Sequence, residues 1–111
     1  MYVSLSTELL PGAGWVPVDS VEGVLVVNVG DLMQIVSNGK IKSVLHRAVV
    51  NSTCFTVSTV FFLMPPSEAE ISPLRKLVYS AHPPLYRPVT GKEYIQLKYK
   101  VFSKALKSIR L

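Results

Sequence analysis

The 111-residue chain has one cysteine, Cys54, and only two histidines, His46 and His82. A lone cysteine cannot close an internal disulfide, so no disulfide framework is expected and a reducing, cytoplasmic setting is. No apolar run approaches the roughly 20 residues that span a bilayer, so no membrane association is expected. Residues 1–10 carry no Lys or Arg and no long apolar stretch, and no secretory leader is read there. Acidic residues are few, 7 against 12 Lys and Arg, for a net charge of +5. Seven of the basic residues fall from Arg87 onward, mostly alternating with apolar residues as on the solvated face of a helix. No finger motif or aromatic-interleaved basic strand accompanies them, so nucleic acid is not an expected partner. Internal repeats and low-complexity tracts are also absent.

Apolar residues are plentiful instead. They make up 49% of the chain, high for a small domain with much surface to cover. That excess suits a chain whose apolar faces belong against a larger body.

Turn signals divide the sequence. Pro11-Gly12-Ala13-Gly14 precedes a short extended piece, Trp15-Val16-Pro17-Val18, whose proline argues for a sheet edge. Residues 24–29 are largely β-branched and predict a strand buried on both faces. Asp31 is placed to cap a short helix over residues 32–36, and Asn38 or Gly39 suits the left-handed position that ends it. Residues 41–50 form the next strand candidate, with Val44, His46, Ala48 and Val50 on one face. A hairpin-type connection at residues 51–53 leads to a return strand over 55–63. Val26, Val44, Val57 and Phe61 are core by this pattern. Four of the eight prolines lie in residues 68–88, which read as irregular chain over a body.

The clearest helix comes last. Thr90 and Glu93 have the spacing of a capping box. Ile95, Tyr99, Phe102, Leu106 and Ile109 then recur every three or four residues as one apolar stripe. The predicted layout is a strand-rich part over 12–64, an irregular tail over 65–89 and a helix over 90–110, with no domain boundary between them.

Three features could carry chemistry. Taken alone, His46 among apolar neighbours reads as a core histidine more readily than as a ligand. Ser58 alone reads as a structural serine, and Gly30-Asp31 as a helix start. His82 has no carboxylate or cysteine at a ligand spacing and is expected to be exposed.

Together they are less generic. Asn28-Val29-Gly30-Asp31-Leu32, Gln34, Ser37-Asn38-Gly39 and Ser43-Val44-Leu45-His46-Arg47-Ala48-Val49-Val50-Asn51 closely resemble the second half of the catalytic domain of plant 2-oxoglutarate/Fe(II)-dependent dioxygenases. Ile71-Ser72-Pro73-Leu74, the stretch from His82-Pro83-Pro84 through Thr90, and Lys104-Ala105-Leu106 resemble the gibberellin 3-beta-dioxygenases of that family. The resemblance runs from about Gly12 to Leu111 and is not read in residues 1–10.

The resemblance implies a mainly β fold, part of a double-stranded β-helix (jelly roll) with a C-terminal helix. It implies Fe(II), 2-oxoglutarate and ascorbate as cofactors and hydroxylation of a small diterpenoid acid as the reaction. In that family two histidines and one carboxylate hold the iron. The first histidine and the carboxylate come from a His-X-Asp motif, and the second histidine, by resemblance, is His46. The sequence has no His-X-Asp or His-X-Glu and no histidine before His46. The family's Arg-X-Ser motif, which grips 2-oxoglutarate, falls at residues 56–58. Ser58 keeps its place there, while Thr56 stands where the family has arginine. A threonine hydroxyl cannot replace a planar, always-charged guanidinium fork. Losing one partner of a buried charge pair costs about 2–5 kcal/mol, roughly thirty-fold to several-thousand-fold in affinity. Arg47 neighbours His46 on the strand and so points to the other face. The expectations are a chain inactive by itself, or a truncated or non-catalytic product that docks on a full-length relative.

Overall fold

The computed structural model describes residues 2–8, 14–19, 21–51 and 57–111. The chain divides into two compact units that interleave in sequence. Unit 1 comprises Met1–Asn28 and Val44–Phe62, and unit 2 comprises Val29–Ser43 and Leu63–Leu111.

Unit 1 holds a three-stranded antiparallel sheet of β1 (Tyr2–Glu8), β2 (Val16–Val18) and β3 (Leu45–Asn51), in the order β2-β1-β3. Strand β1 was not anticipated, although Val3 and Leu5 alternating with Ser4 and Ser6 carry the period of two that marks a strand. It pairs along its whole length with β3, from Tyr2 opposite Asn51 to Glu8 opposite Leu45. On its other side Leu5, Ser6 and Thr7 oppose Val18, Pro17 and Val16. Pro17 therefore lies on an edge strand, where its missing N–H costs nothing.

Two expected strands do not form. Residues 24–29 make no ladder, and Leu25 and Val27 are 89% and 85% exposed. Residues 57–63 make none either, and Phe61 is 88% exposed. The remainder of the expected return strand, and the hairpin connection at 52–53, lie outside the described residues. β-propensity measures fit to a pleated, partly covered surface, and no described strand pairs with either segment. The expected core fails with them: Val26, Val57 and Phe61 are exposed and Val44 is half-buried. The strand predicted over 41–50 starts only at Leu45. Before it, Ile41 N–H donates to Ser37 Oγ at 3.0 Å and Ser43 N–H to Gln34 Oε1 at 2.7 Å, which ties this stretch to the preceding helix.

Unit 2 contains every buried apolar side chain among the described residues: Ile35, Ile71, Tyr86, Val89, Tyr94, Ala105 and Ile109. Its first element is α1 (Asp31–Val36). Gly30, not Asp31, occupies the cap position, and no side chain caps this helix. Asp31 is instead the first helical residue and turns to the last helix, as described below. Asn38 (φ 51°) and Gly39 (φ 76°) both take the left-handed conformation that closes α1. A Cβ on Gly39 would also stand 3.0 Å from Leu85 Cδ1. The Asn38 amide then does more than end a helix. It donates to Pro83 O at 3.1 Å and accepts from Leu85 N–H at 2.8 Å, holding the proline-rich tail against α1.

That tail is largely irregular, as its prolines suggest. It contains a short pair, β4 (Glu70–Ile71) with β5 (Val89–Thr90), and one 3-10 turn at Arg75–Leu77. Helix α2 (Gly91–Val101) follows, capped by Thr90 Oγ1 accepting from Glu93 N–H at 3.1 Å. The capping box is only half formed, because the Glu93 carboxylate pairs with Arg87 at 2.8 Å instead of returning to the cap. The helix breaks at Phe102 (φ 48°), passes through a 3-10 turn at Phe102–Lys104 and ends as α3 (Ala105–Ser108).

The apolar stripe also differs from the expected one. Of the expected stripe, Ile109 is buried and Leu106 packs against the core, but Ile95, Tyr99 and Phe102 are exposed, and Tyr94, Leu97, Val101 and Ala105 turn inward instead. Asp31 explains the choice. Its carboxylate accepts from Tyr94 Oη at 2.7 Å and from Lys98 Nζ at 2.5 Å, and these residues one turn apart define the face of α2 that turns inward. Burial alone would raise the Asp31 carboxyl, but hydrogen bonds from Lys98, Ser43 and Tyr94 outweigh it and hold it below its usual range. Burial and the neighbouring Asp31 push the Tyr94 phenol far upward, so it stays protonated as a donor.

Two outcomes follow from this division. Ile35→Ala, at a fully buried site, should cost about 2–5 kcal/mol in urea unfolding, whereas Phe61→Ala should stay within about 0.5 kcal/mol. A folded carboxyl held below its unfolded value near 3.8 contributes stability above that value and loses it as pH falls through the folded one. Asp31→Asn should flatten that acid-side loss in thermal unfolding followed from pH 6 to pH 2.

Candidate functional site

His46 is the second residue of β3, in register with Thr7 of β1. It is exposed, so it is not the core histidine that its apolar neighbours would suggest. Its Nδ1 lies 3.4 Å from the carbonyl of Val44, just before the strand. This long contact engages one ring nitrogen only, and the imidazole is otherwise accessible.

Arg47 points the other way, as the period of two requires. Its guanidinium carbon sits 4.1 Å from the centre of the Trp15 ring, a cation–π contact worth about 0.5–1 kcal/mol at an exposed site. The sequence reading missed this pairing, because Trp15 just precedes β2 and Arg47 lies on β3, and only the sheet order, with β1 between those strands, brings them within reach.

Ser58 is exposed and lies in no strand. Thr56 lies outside the described residues, as does Cys54. His82 is exposed, as expected, and belongs to a tight turn: it exchanges backbone hydrogen bonds with Tyr79 at 2.7 and 3.0 Å, and the two rings meet edge to face at 4.8 Å.

No group of three His, Cys, Asp or Glu side chains that could hold a metal ion occurs among the described residues. His46 offers an imidazole in an accessible position, but a three-ligand iron site is not assembled from these residues. Among them, no helix is long and apolar enough to cross a membrane.

Comparison with known proteins identifies the family. Residues 4–65 match the profile of the 2OG-Fe(II) oxygenase superfamily, and the chain belongs to that superfamily. The match starts upstream of residue 12, so the family likeness takes in most of β1, which the sequence reading had left out. The superfamily uses Fe(II) and 2-oxoglutarate.

Among curated relatives, the chain is 51% identical to gibberellin 3-beta-dioxygenase 4 of Arabidopsis thaliana over 100 residues, covering 89% of this chain and 28% of that protein. It is 52% identical to gibberellin 3-beta-dioxygenase 1 of Pisum sativum over 100 residues, covering 90% of this chain and 27% of the relative. The chain thus spans little more than a quarter of these relatives' length. Of solved structures, the rice dioxygenase for auxin oxidation superposes with a TM-score of 0.77 at 30% identity, over 98% of this chain and 38% of that one. JOX2 in complex with 2OG, Fe and JA superposes with a TM-score of 0.79 at 30% identity, over 99% of this chain and 33% of that one.

With His46 and His82 in separate units and no cluster of three ligands among the described residues, the 111-residue chain should bind Co(II), a redox-stable stand-in for Fe(II), no more tightly than an isolated histidine side chain does. Isothermal titration checks this, and tight binding that disappears in His46→Ala would reveal ligands this structure does not bring together.

Proposed function

We propose that these 111 residues form the C-terminal portion of a jelly-roll dioxygenase acting on a gibberellin-like diterpenoid acid, and that the chain does not turn over by itself. The reading is carried by identity above 50% to gibberellin 3-beta-dioxygenases over about nine-tenths of the chain. On this reading His46 takes the position of the distal iron ligand and Ser58 that of a 2-oxoglutarate hydrogen-bond donor. Iron and 2-oxoglutarate together supply the oxidising power in the family. What this chain contributes toward them is one imidazole on β3 and one hydroxyl, with Thr56 in place of the guanidinium fork. A cytoplasmic location goes with the proposal, supported by the single cysteine.

A second reading, a non-catalytic interaction protein that docks on a full-length relative, is favoured by one observation. Thr56 stands where the resemblance places the cosubstrate arginine, while identity to the relatives stays high over about nine-tenths of the chain.

The two readings agree on one outcome. Purified chain supplied with Fe(II), ascorbate and 2-oxoglutarate labelled at C1 should release no labelled carbon dioxide above a protein-free blank. Iron-dependent release that His46→Ala abolishes would overturn the proposed inactivity.

A further inference from the structure

The turn that ends α1 borders a small cavity whose lining belongs wholly to unit 2. It measures about 150 Å3, the size of an apolar cavity that admits one benzene ring. Leu77, Pro83 and Leu85 give it apolar walls. Much of its polar lining is already satisfied. The Asn38 amide donates to Pro83 O and, more weakly, to Leu77 O, and it accepts from Leu85 N–H. The backbone N–H and C=O of His82 are both spent on Tyr79. The lining still offers the ammonium of Lys40 and the ring nitrogens of His82, and no Asp or Glu belongs to it. A third cation stands close by: Lys42 Nζ is 3.6 Å from where a Cβ on Gly39 would lie.

Lysines just past a helix often serve its last carbonyls, but those of α1 are already filled. Met33 O, Gln34 O, Ile35 O and Val36 O accept from the backbone N–H groups of Ser37, Gly39, Asn38 and Leu74. The ion pairs among the described residues use Arg87, Lys92 and Lys98, not Lys40 or Lys42. We propose that this cavity binds a small phosphate monoester, with its organic group among Leu77, Pro83 and Leu85 and its phosphoryl oxygens at Lys40, Lys42 and His82. Lysine recognises phosphate as a point charge, whereas a planar carboxylate is best gripped by an arginine fork, and no arginine lines the cavity. A phosphate monoester carries close to two negative charges at neutral pH, which matches a lining that has cations and no acid. None of these residues is among the positions assigned to iron or 2-oxoglutarate, so the inference does not depend on the oxygenase reading.

The test is an NMR titration of the isotope-labelled chain with phenyl phosphate, orthophosphate and benzoate, near neutral pH and at fixed ionic strength. Phenyl phosphate should give saturable shifts centred on the backbone amides of Gly39, Lys40, Leu77, His82 and Leu85. It should bind more tightly than orthophosphate or benzoate, because only it fills the apolar walls and meets the cations together. Lys40→Gln and Lys42→Gln should each weaken its binding about three- to five-fold, as for one exposed charge contact. Lys100→Gln removes the same charge from an exposed position of α2 outside the cavity and should leave the affinity unchanged. All three side chains are exposed, so thermal unfolding should not shift, which separates lost binding from lost folding. Shifts scattered over the basic residues of α2, equal weakening by Lys100→Gln, or orthophosphate binding as tightly as phenyl phosphate overturns the proposal. Binding to vesicles containing phosphatidic acid, with no saturable response to phenyl phosphate, also overturns it and assigns these cations to a lipid surface.

Discussion

The carboxylate of Asp31, with only 14% of its side chain exposed, constrains much of unit 2. Burying a carboxylate is costly unless its lone pairs are filled. Tyr94 and Lys98 fill them from successive turns of α2, so α1 and α2 cannot part without stranding the charge. That requirement selects which of two apolar stripes on α2 faces the core. With Tyr94 turned to Asp31, Leu97 and Val101 of α2 follow it inward. Ile95, Tyr99 and Phe102 are left outward. The Asn38 amide acts in the same sense at the other end of α1, pinning the chain at Pro83 and Leu85. Between them, two polar side chains locate a tail that has little regular structure of its own.

This explains which parts of the fold could be read from sequence. Signals that act over a few residues are legible. Asn38-Gly39 closes α1, Thr90 caps α2 and Pro17 marks an edge, because each depends on local backbone chemistry. The helix stripe was misread because the two candidates differ by one residue, Tyr94 or Ile95, and both keep the helical period. Only a contact with Asp31, 63 residues away, distinguishes them. The strands over 24–29 and 57–63 were misread for the opposite reason. Their composition is sound, but a strand exists only when something pairs with it, and no local pattern reports the partner. Strand β1 shows the converse. It looks unremarkable as sequence and becomes central because β2 and β3 pair with it on either side.

The family was legible in a different way. A motif around His46 points to the superfamily, and the family match over residues 4–65 agrees. Fold and site nevertheless carry separate information. Identity above 50% to gibberellin 3-beta-dioxygenases is spread over about a hundred positions, most of which serve turns, packing and caps. An iron site depends on three side chains and the cosubstrate grip on two. Similarity spread over so many positions therefore reports the fold more directly than the chemistry.

Strand geometry closes the most obvious route by which the chain could compensate. Arg47 is the one arginine beside His46 and the natural candidate to stand in for the guanidinium that the resemblance would place at residue 56. Adjacent residues on a strand face opposite ways, and Arg47 obeys the rule: its guanidinium lies over Trp15, 4.1 Å from the ring centre. To reach an acid bound on the side of His46, it would have to leave that ring and pass through its own sheet. A slip of β3 by one residue would turn Arg47 to the required side, but it would also move His46 to the wrong one. On this strand an imidazole and a neighbouring guanidinium cannot serve one site together, so an anchor for the cosubstrate has to come from another element.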